Sequence, residues 1–250
     1  MPLITSFTSY MPKLVKGTKE TLMTKQNNDN KGGKPTSNRR KNPSDLIRDK
    51  TRTYNKLIDA VGQVLKEKGY HGLTPPNIAK ATGSDKRLVW TYFGGMDSLI
   101  ETFFAQRDYW KGSSRDFIAD LLKHPDQIKQ DDISALLNNQ FDTVLNDVVL
   151  QKLIHWELGE NKSLLRKIAD EREEIGEKLF NAIEPDFENS GVDLRAILAV
   201  AIGGIYYLSL HAKTNGSTFC GIDINEEEGK KRIENVIRYM VDTFYEKAKV

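Results

Sequence analysis

Cysteine is nearly absent from this chain: Cys220 is the single example in 250 residues. No internal disulfide can form, cysteine zinc clusters are excluded, and this usage fits a reducing compartment. Histidine is also sparse. His71, His124, His155 and His211 are scattered rather than set at metal-ligand spacing. The sequence has no nucleophile elbow, no phosphate-binding P-loop and no His-Glu-x-x-His pair, so the usual sequence grounds for an enzyme are missing. No cofactor and no metal are expected. The first 24 residues lack a positively charged start and a continuous apolar run, so no secretory signal is expected. Long hydrophobic runs are rare too. Ala196–Ala212 is apolar apart from His211, but its 17 residues sit at the short limit for a membrane span. A buried helix in a cytoplasmic protein is the expectation, covered on nearly all sides.

Hydrophobic residues make up 38% and charged residues 29%, a soluble globular composition with a polar excess. The net charge of +2 hides an asymmetry. Residues 1–52 carry 12 basic against 4 acidic side chains, residues 53–100 carry 6 against 4, and residues 101–250 carry 19 against 27. A basic first lobe attracts a polyphosphate while an acidic second lobe is repelled, which orients the molecule during encounter.

Residues 1–45 read as a disordered basic tail. Asn27–Asn42 is polar, basic and without periodicity. Its Arg39-Arg40-Lys41 run suits either a flexible arm reaching DNA or a solvated linker. A first helix is expected over Asp45–Lys68, with Tyr54, Leu57, Ile58, Val61, Val64 and Leu65 on one face and Gly69 as its stop.

Leu73–Leu99 then reads as two short helices around a tight turn, with a further helix following. Thr74 can cap the first of these and Pro75 suits its first position. Gly83 suits the left-handed position after its last turn, and Asp85 can cap the next helix. Gly94-Gly95 breaks the chain before a helix through Leu99, Ile100, Phe103 and Phe104. This is a helix-turn-helix, whose dominant use is to set its second helix in the major groove of DNA.

Past residue 100 all patterns are helical: Arg115–Lys123, Asp131–Asn146, Asp147–Gly159, Ser163–Ile183, Val192–Lys213 and Glu226–Lys247. The fold class is therefore all-α: an N-terminal three-helix helix-turn-helix DNA-binding domain at 46–95, then a C-terminal helical ligand-binding and dimerisation domain at 96–250. The last two helices could form half of a four-helix bundle across a two-fold axis, because a helix-turn-helix that reads paired half-sites needs a twin. Ile202, Ile205, Val236, Ile237, Met240 and Phe244 are the expected dimer residues. Aromatics with one or two polar groups suit a small-molecule pocket, and Tyr109, Phe141, His155, Trp156 and Tyr206 are its candidates.

The stretch from about Arg52 to Phe104 resembles the TetR/AcrR family of one-component bacterial regulators. The resemblance rests on Ala60, Gly69-Tyr70, Thr74, Ile78-Ala79, Gly83, the Trp90–Tyr92–Phe93 cluster and Leu99. It implies an all-helical homodimer that binds a palindromic double-stranded operator, generally a repressor released by a small-molecule effector. The alternative within the same class is a DNA-binding regulator or activator without such a ligand, controlled by a protein partner. Lys86, Arg87 and Thr91 are expected to face the groove, with Ser84, Asp85 and Trp90 beside them. Thr74 and Tyr92 match positions that hold the DNA backbone, and Arg48, Lys50 and Arg52 are further phosphate candidates. Met96 departs from the pattern: it stands where the family usually has a lysine that meets a phosphate. Ser84 replaces a small apolar residue, and Trp90 a tyrosine.

Overall fold

The computed structural model of the chain describes residues 43–106 and 113–249. These form ten α-helices: α1 Pro43–Lys68, α2 Pro75–Thr82, α3 Arg87–Phe93, α4 Met96–Gln106, α5 Ser113–Leu121, α6 Gln130–Asn146, α7 Val148–Gly159, α8 Ser163–Ile183, α9 Leu194–Thr214 and α10 Glu227–Ala248. Short 3-10 turns lie at Tyr70–Gly72, Pro125–Gln127 and Glu184–Phe187. No strand occurs among the described residues, where a lone antiparallel bridge joins Phe219 and Ile222. The all-α expectation holds. Residues 1–42 of the expected tail, with the Arg39–Lys41 run, lie outside the described residues. So does Tyr109.

Local chemistry explains the tight turn. Gly83 ends α2 at φ 64°, ψ 31°, a left-handed conformation that costs glycine little. The Ser84 N–H then donates to the Ala79 carbonyl at 3.0 Å, closing the last turn. The Asp85 carboxylate accepts from the Arg87 N–H at 2.8 Å and so caps α3. Thr74 has the extended backbone of a cap, but its side chain makes no capping hydrogen bond. Pro75 and Pro76 occupy the first two helical positions and have no N–H to donate to it.

Two apolar cores run through the described residues. The first is built from Leu57, Val61, Leu65, Ile78, Val89, Leu99, Phe103 and their neighbours on α1–α4. It is completed by Val149, Leu153 and Trp156 of α7 and Leu164, Leu165 and Ile168 of α8. The second contains Leu137, Phe141 and Val144 of α6, Leu150 and Ile154 of α7, and Leu179 and Ile183 of α8, along with residues of α9 and α10. So α7 and α8 each contribute to both cores, α7 from two sides and α8 from its two ends. The expected division at residue 95 cuts through the first core, because α4 buries Leu99, Ile100, Phe103 and Phe104 there.

Three of the expected dimer residues need correction. Ile205, Ile237 and Phe244 are 2%, 5% and 3% exposed and belong to the chain's own second core. The inner half of each stripe faces its own helices, which leaves Val236 outside at 52%, with Ile202 and Met240 half-buried. Nor is α9 covered all round. Val200 (74% exposed) and Tyr207 (55%) share an outer face with Ala196, Ala199 and Gly203. By length and composition alone α9 is also apolar enough to cross a membrane.

Tyr245 packs edge-on against Phe187, with ring centroids 4.9 Å apart, and its buried hydroxyl has no hydrogen-bond partner among the described residues. Burial pushes this phenol up from its ordinary value near 10 to about 12. The fold therefore favours the neutral ring, and that stability is complete below about pH 10 and lost as pH rises through about 12. Tyr245→Phe keeps the ring contact. It is expected to match the parent in urea unfolding at neutral pH and to lose less stability in the alkaline window.

Candidate nucleic-acid interface and internal cavity

Lys86, Arg87, Trp90 and Thr91 fall at positions that share one side of a helix, and all four are exposed. Trp90 is 53% exposed, which takes it out of the core and puts it on this face. Val89, on the opposite side, is fully buried. The Thr91 hydroxyl donates to the Arg87 carbonyl at 3.1 Å, so its hydrogen is used within the helix. Behind the face, Phe93 stacks on Tyr54 of α1 at 4.7 Å and Tyr92 tilts against Tyr54 at 6.3 Å. These contacts fix the orientation of a helix only seven residues long.

Ser84 and Asp85 have local structural roles. The Ser84 hydroxyl shares a hydrogen bond with that of Thr82, and Asp85 caps α3. Arg48, Lys50 and Arg52 are exposed along the first half of α1, and Arg52 pairs with Asp49 at 3.2 Å. Met96 is half-buried and packs on the first core, so its side chain works inward.

A cavity of about 170 Å³ lies among α5, α6, α8 and α9. Its walls are apolar, with Ile118, Leu137, Ile175, Phe180, Leu198 and Ile202 among them. Its polar lining is Gln140, Arg172, Glu173 and Tyr206. Gln140 donates to the Tyr206 hydroxyl at 3.0 Å. Arg172 makes a short ion pair with Glu157 of α7, and both side chains are largely buried. Burial raises the Glu157 carboxyl despite that partner, and burial likewise raises the Tyr206 phenol.

Of the five expected pocket residues, Tyr206 alone lines this cavity among the described residues. Phe141 is fully buried in the second core. Trp156 belongs to the first core, where it stacks on Tyr70 at 5.4 Å beneath the Lys162 ammonium. His155 is exposed and lies 6.4 Å from the Tyr70 ring, ring centre to ring centre. Sequence reasoning missed Gln140 and Arg172. A signal for Arg172 does exist: Leu165, Ile168, Arg172, Ile175 and Leu179 are spaced as one helical stripe, with an arginine where an apolar residue is due.

Residues 57–103 match the family model described as bacterial regulatory proteins, tetR family. Comparison with proteins of curated function gave no match. Among solved structures, the chain is similar to the fatty acid degradation regulator FadR from Bacillus halodurans, at 18% identity and TM-score 0.51, over 77% of this chain and 94% of that one. The FadR regulator from Bacillus subtilis, solved in complex with stearoyl-CoA, gives 18% and 0.51 over 75% and 97%. A TetR-family regulator from Marinobacter aquaeolei gives 16% and 0.51 over 78% and 97%. At these identities the likeness is one of fold.

Arg87→Ala is expected to weaken binding to a selected DNA site by about 1–3 kcal/mol, roughly five- to 150-fold, without changing the melting temperature. Lys50→Ala should lower the slope of log affinity against log salt by about one, with little change in sequence preference. Fluorescence anisotropy over a salt series measures both. Unchanged curves for the two variants overturn the assignment.

Proposed function

This chain belongs to the TetR family of bacterial regulators, and from that premise we propose a cytoplasmic transcriptional repressor that leaves its operator when a small molecule enters the cavity. The observation that carries the reading is the exposed Lys86–Arg87–Trp90–Thr91 face, set on a short helix that aromatic stacking holds rigid. Arginine or lysine pairs with guanine edges, a threonine methyl meets a thymine methyl, and the basic first half of α1 supplies phosphate contacts.

The effector acts through α7 and α8. Arg172 of α8 lines the cavity, while Leu165 and Ile168 of the same helix are part of the first core. No residue of α4 lines the cavity among the described residues, and α4 instead packs on α1, α3 and α8. A shift of α8 therefore reaches α4, and through it α3. Such a ligand works only through different affinities for the two arrangements. The Bacillus subtilis regulator was solved with stearoyl-CoA. The cavity here, at about 170 Å³, is smaller than the ~300–1,000 Å³ of sites for drug-sized ligands, so it suits a smaller effector.

The proposed assembly is a homodimer on a palindromic site, formed by the outer faces of α9 and α10. Val200, Tyr207, Val236 and Tyr239 are exposed there. In vitro DNA selection with the full chain is expected to enrich a two-fold symmetric sequence. Absence of any enriched sequence overturns the regulator reading. Sedimentation should show a dimer that Val200→Lys together with Val236→Lys converts to a monomer with far weaker operator binding. A parent chain that stays monomeric on DNA overturns the dimer.

A further inference from the structure

The polar end of the cavity is built from three helices: Gln140 on α6, Arg172 and Glu173 on α8 and Tyr206 on α9, with Glu157 of α7 paired to Arg172 behind the lining. Its hydrogen-bonding balance is one-sided. The guanidinium of Arg172 uses Nη2 on Glu157, and its buried Nη1 has no partner among the described residues. The Tyr206 hydroxyl accepts from Gln140, which leaves its own hydrogen to be placed. Both groups line the cavity, and both are donors. Glu157 also has an unpaired buried oxygen, Oε1, but Glu157 is not part of the cavity lining. Beside Arg172 and Tyr206 a molecule in the cavity is therefore met by hydrogen-bond donors, and the carboxylate of the lining, Glu173, is exposed.

Charge narrows the choice. Glu157 already answers the Arg172 cation, and Glu173, itself exposed, borders the cavity. A carboxylate entering here finds no unanswered positive charge and two acidic neighbours. An ammonium meets a carboxylate at the exposed Glu173, but at Arg172 and Tyr206 its donors face donors and a cation. A neutral acceptor on an apolar body satisfies the site at no charge cost. Size limits the body as well. A dry cavity of about 150 Å³ holds a molecule the size of benzene, so about 170 Å³ takes about eight heavy atoms.

We propose that the effector is a small neutral carbonyl compound of the ketone or ester class, its oxygen accepting from Arg172 Nη1 and Tyr206 Oη while its alkyl or aryl body fills the apolar end. This rests on the reading of the cavity as the effector site. It adds a role for Arg172 as the group that distinguishes ligands, on the helix that also supports the DNA-reading end.

The test uses the purified full chain and four probes of similar size: methyl pentyl ketone, hexanoate, heptylamine and toluene. Calorimetry and thermal shift are read for the parent, Tyr206→Phe and Arg172→Met. The ketone is expected to bind the parent about ten- to a hundred-fold more tightly than hexanoate or heptylamine and to raise its melting temperature. Tyr206→Phe, which removes one oxygen, should cut ketone affinity about ten-fold and leave toluene affinity unchanged. It carries the test if Arg172→Met does not fold. Hexanoate or heptylamine binding as tightly as the ketone overturns the neutral-carbonyl class. Equal binding of toluene and ketone, or ketone affinity unaltered in Tyr206→Phe, overturns the donor reading and leaves the cavity as an effector site. If none of the four stabilises the chain, the effector-site reading falls with the proposal, while operator binding by the same sample keeps the DNA-reading assignment separate.

Discussion

Two helices that each belong to both apolar cores are the constraint on which the rest of this structure depends. On α7, Val149, Leu153 and Trp156 point to the first core and Leu150 and Ile154 to the second. On α8 the sharing runs along the axis: Leu164, Leu165 and Ile168 serve the first core, Leu179 and Ile183 the second, and Arg172 sits between them. A packed interior resists small adjustments, so a helix packed into both cores cannot move in one without disturbing the other. The Arg172–Glu157 pair ties the two helices together at this crossing. Replacing such a pair with apolar residues is often neutral, whereas removing one partner typically costs about 3–5 kcal/mol. Its value here lies more in fixing how α7 and α8 sit against each other than in net stability. A coupling of about 1–3 kcal/mol between sites is common in proteins, and one repacked helix contact can supply it.

At the DNA-facing end, helix termini contribute less than they often do. Pro75 and Pro76 remove two amide donors from the start of α2, and Met96 brings no charge to the start of α4. In the proposed reading, phosphate neutralisation therefore rests on side chains, and Arg48, Lys50 and Arg52 on α1 with Lys86 and Arg87 at α3 are exposed for it. Ionic contacts of this kind position the protein and are sensitive to salt, and they leave specificity to the α3 face. That division works only if α3 is rigid, which explains the stack of Tyr54, Tyr92 and Phe93 behind it.

The helices were largely legible in the sequence, because apolar spacing and glycine stops are local signals. The span from Ser163 to Ile183 matches α8, and the other late helices differ by a residue or two at their ends. What covers each face was less legible. Periodicity gives the direction of a stripe relative to its own helix axis and says nothing about the partner. That is why Ile237 and Phe244 were expected at a dimer interface and are instead buried in the chain's own core. The same limit misplaced Trp156, which serves the first core rather than the cavity. Arg172 was hidden for another reason. It sits in the charged run from Asp170 to Glu174, which reads as a solvated face unless each residue is set against the stripe.

The outer face of α9 raises a question that a lone chain leaves open. Glycine within a helix costs about 1 kcal/mol relative to alanine. Gly203 and Gly204 both lie inside α9, and a Cβ added at either would meet nothing within 4 Å. Packing among the described residues therefore gives no reason for either glycine. The exposed Val200 and Tyr207, on the same helix as these glycines, are likewise unexplained by the chain's own core. A second helix crossing at Gly203 accounts for both features, since glycine allows close approach and the flanking apolar groups then lose their contact with water. The two-fold dimer proposed above places an identical α9 there. In it, the helix that contributes Tyr206 to the cavity also sets the spacing between the two DNA-reading helices.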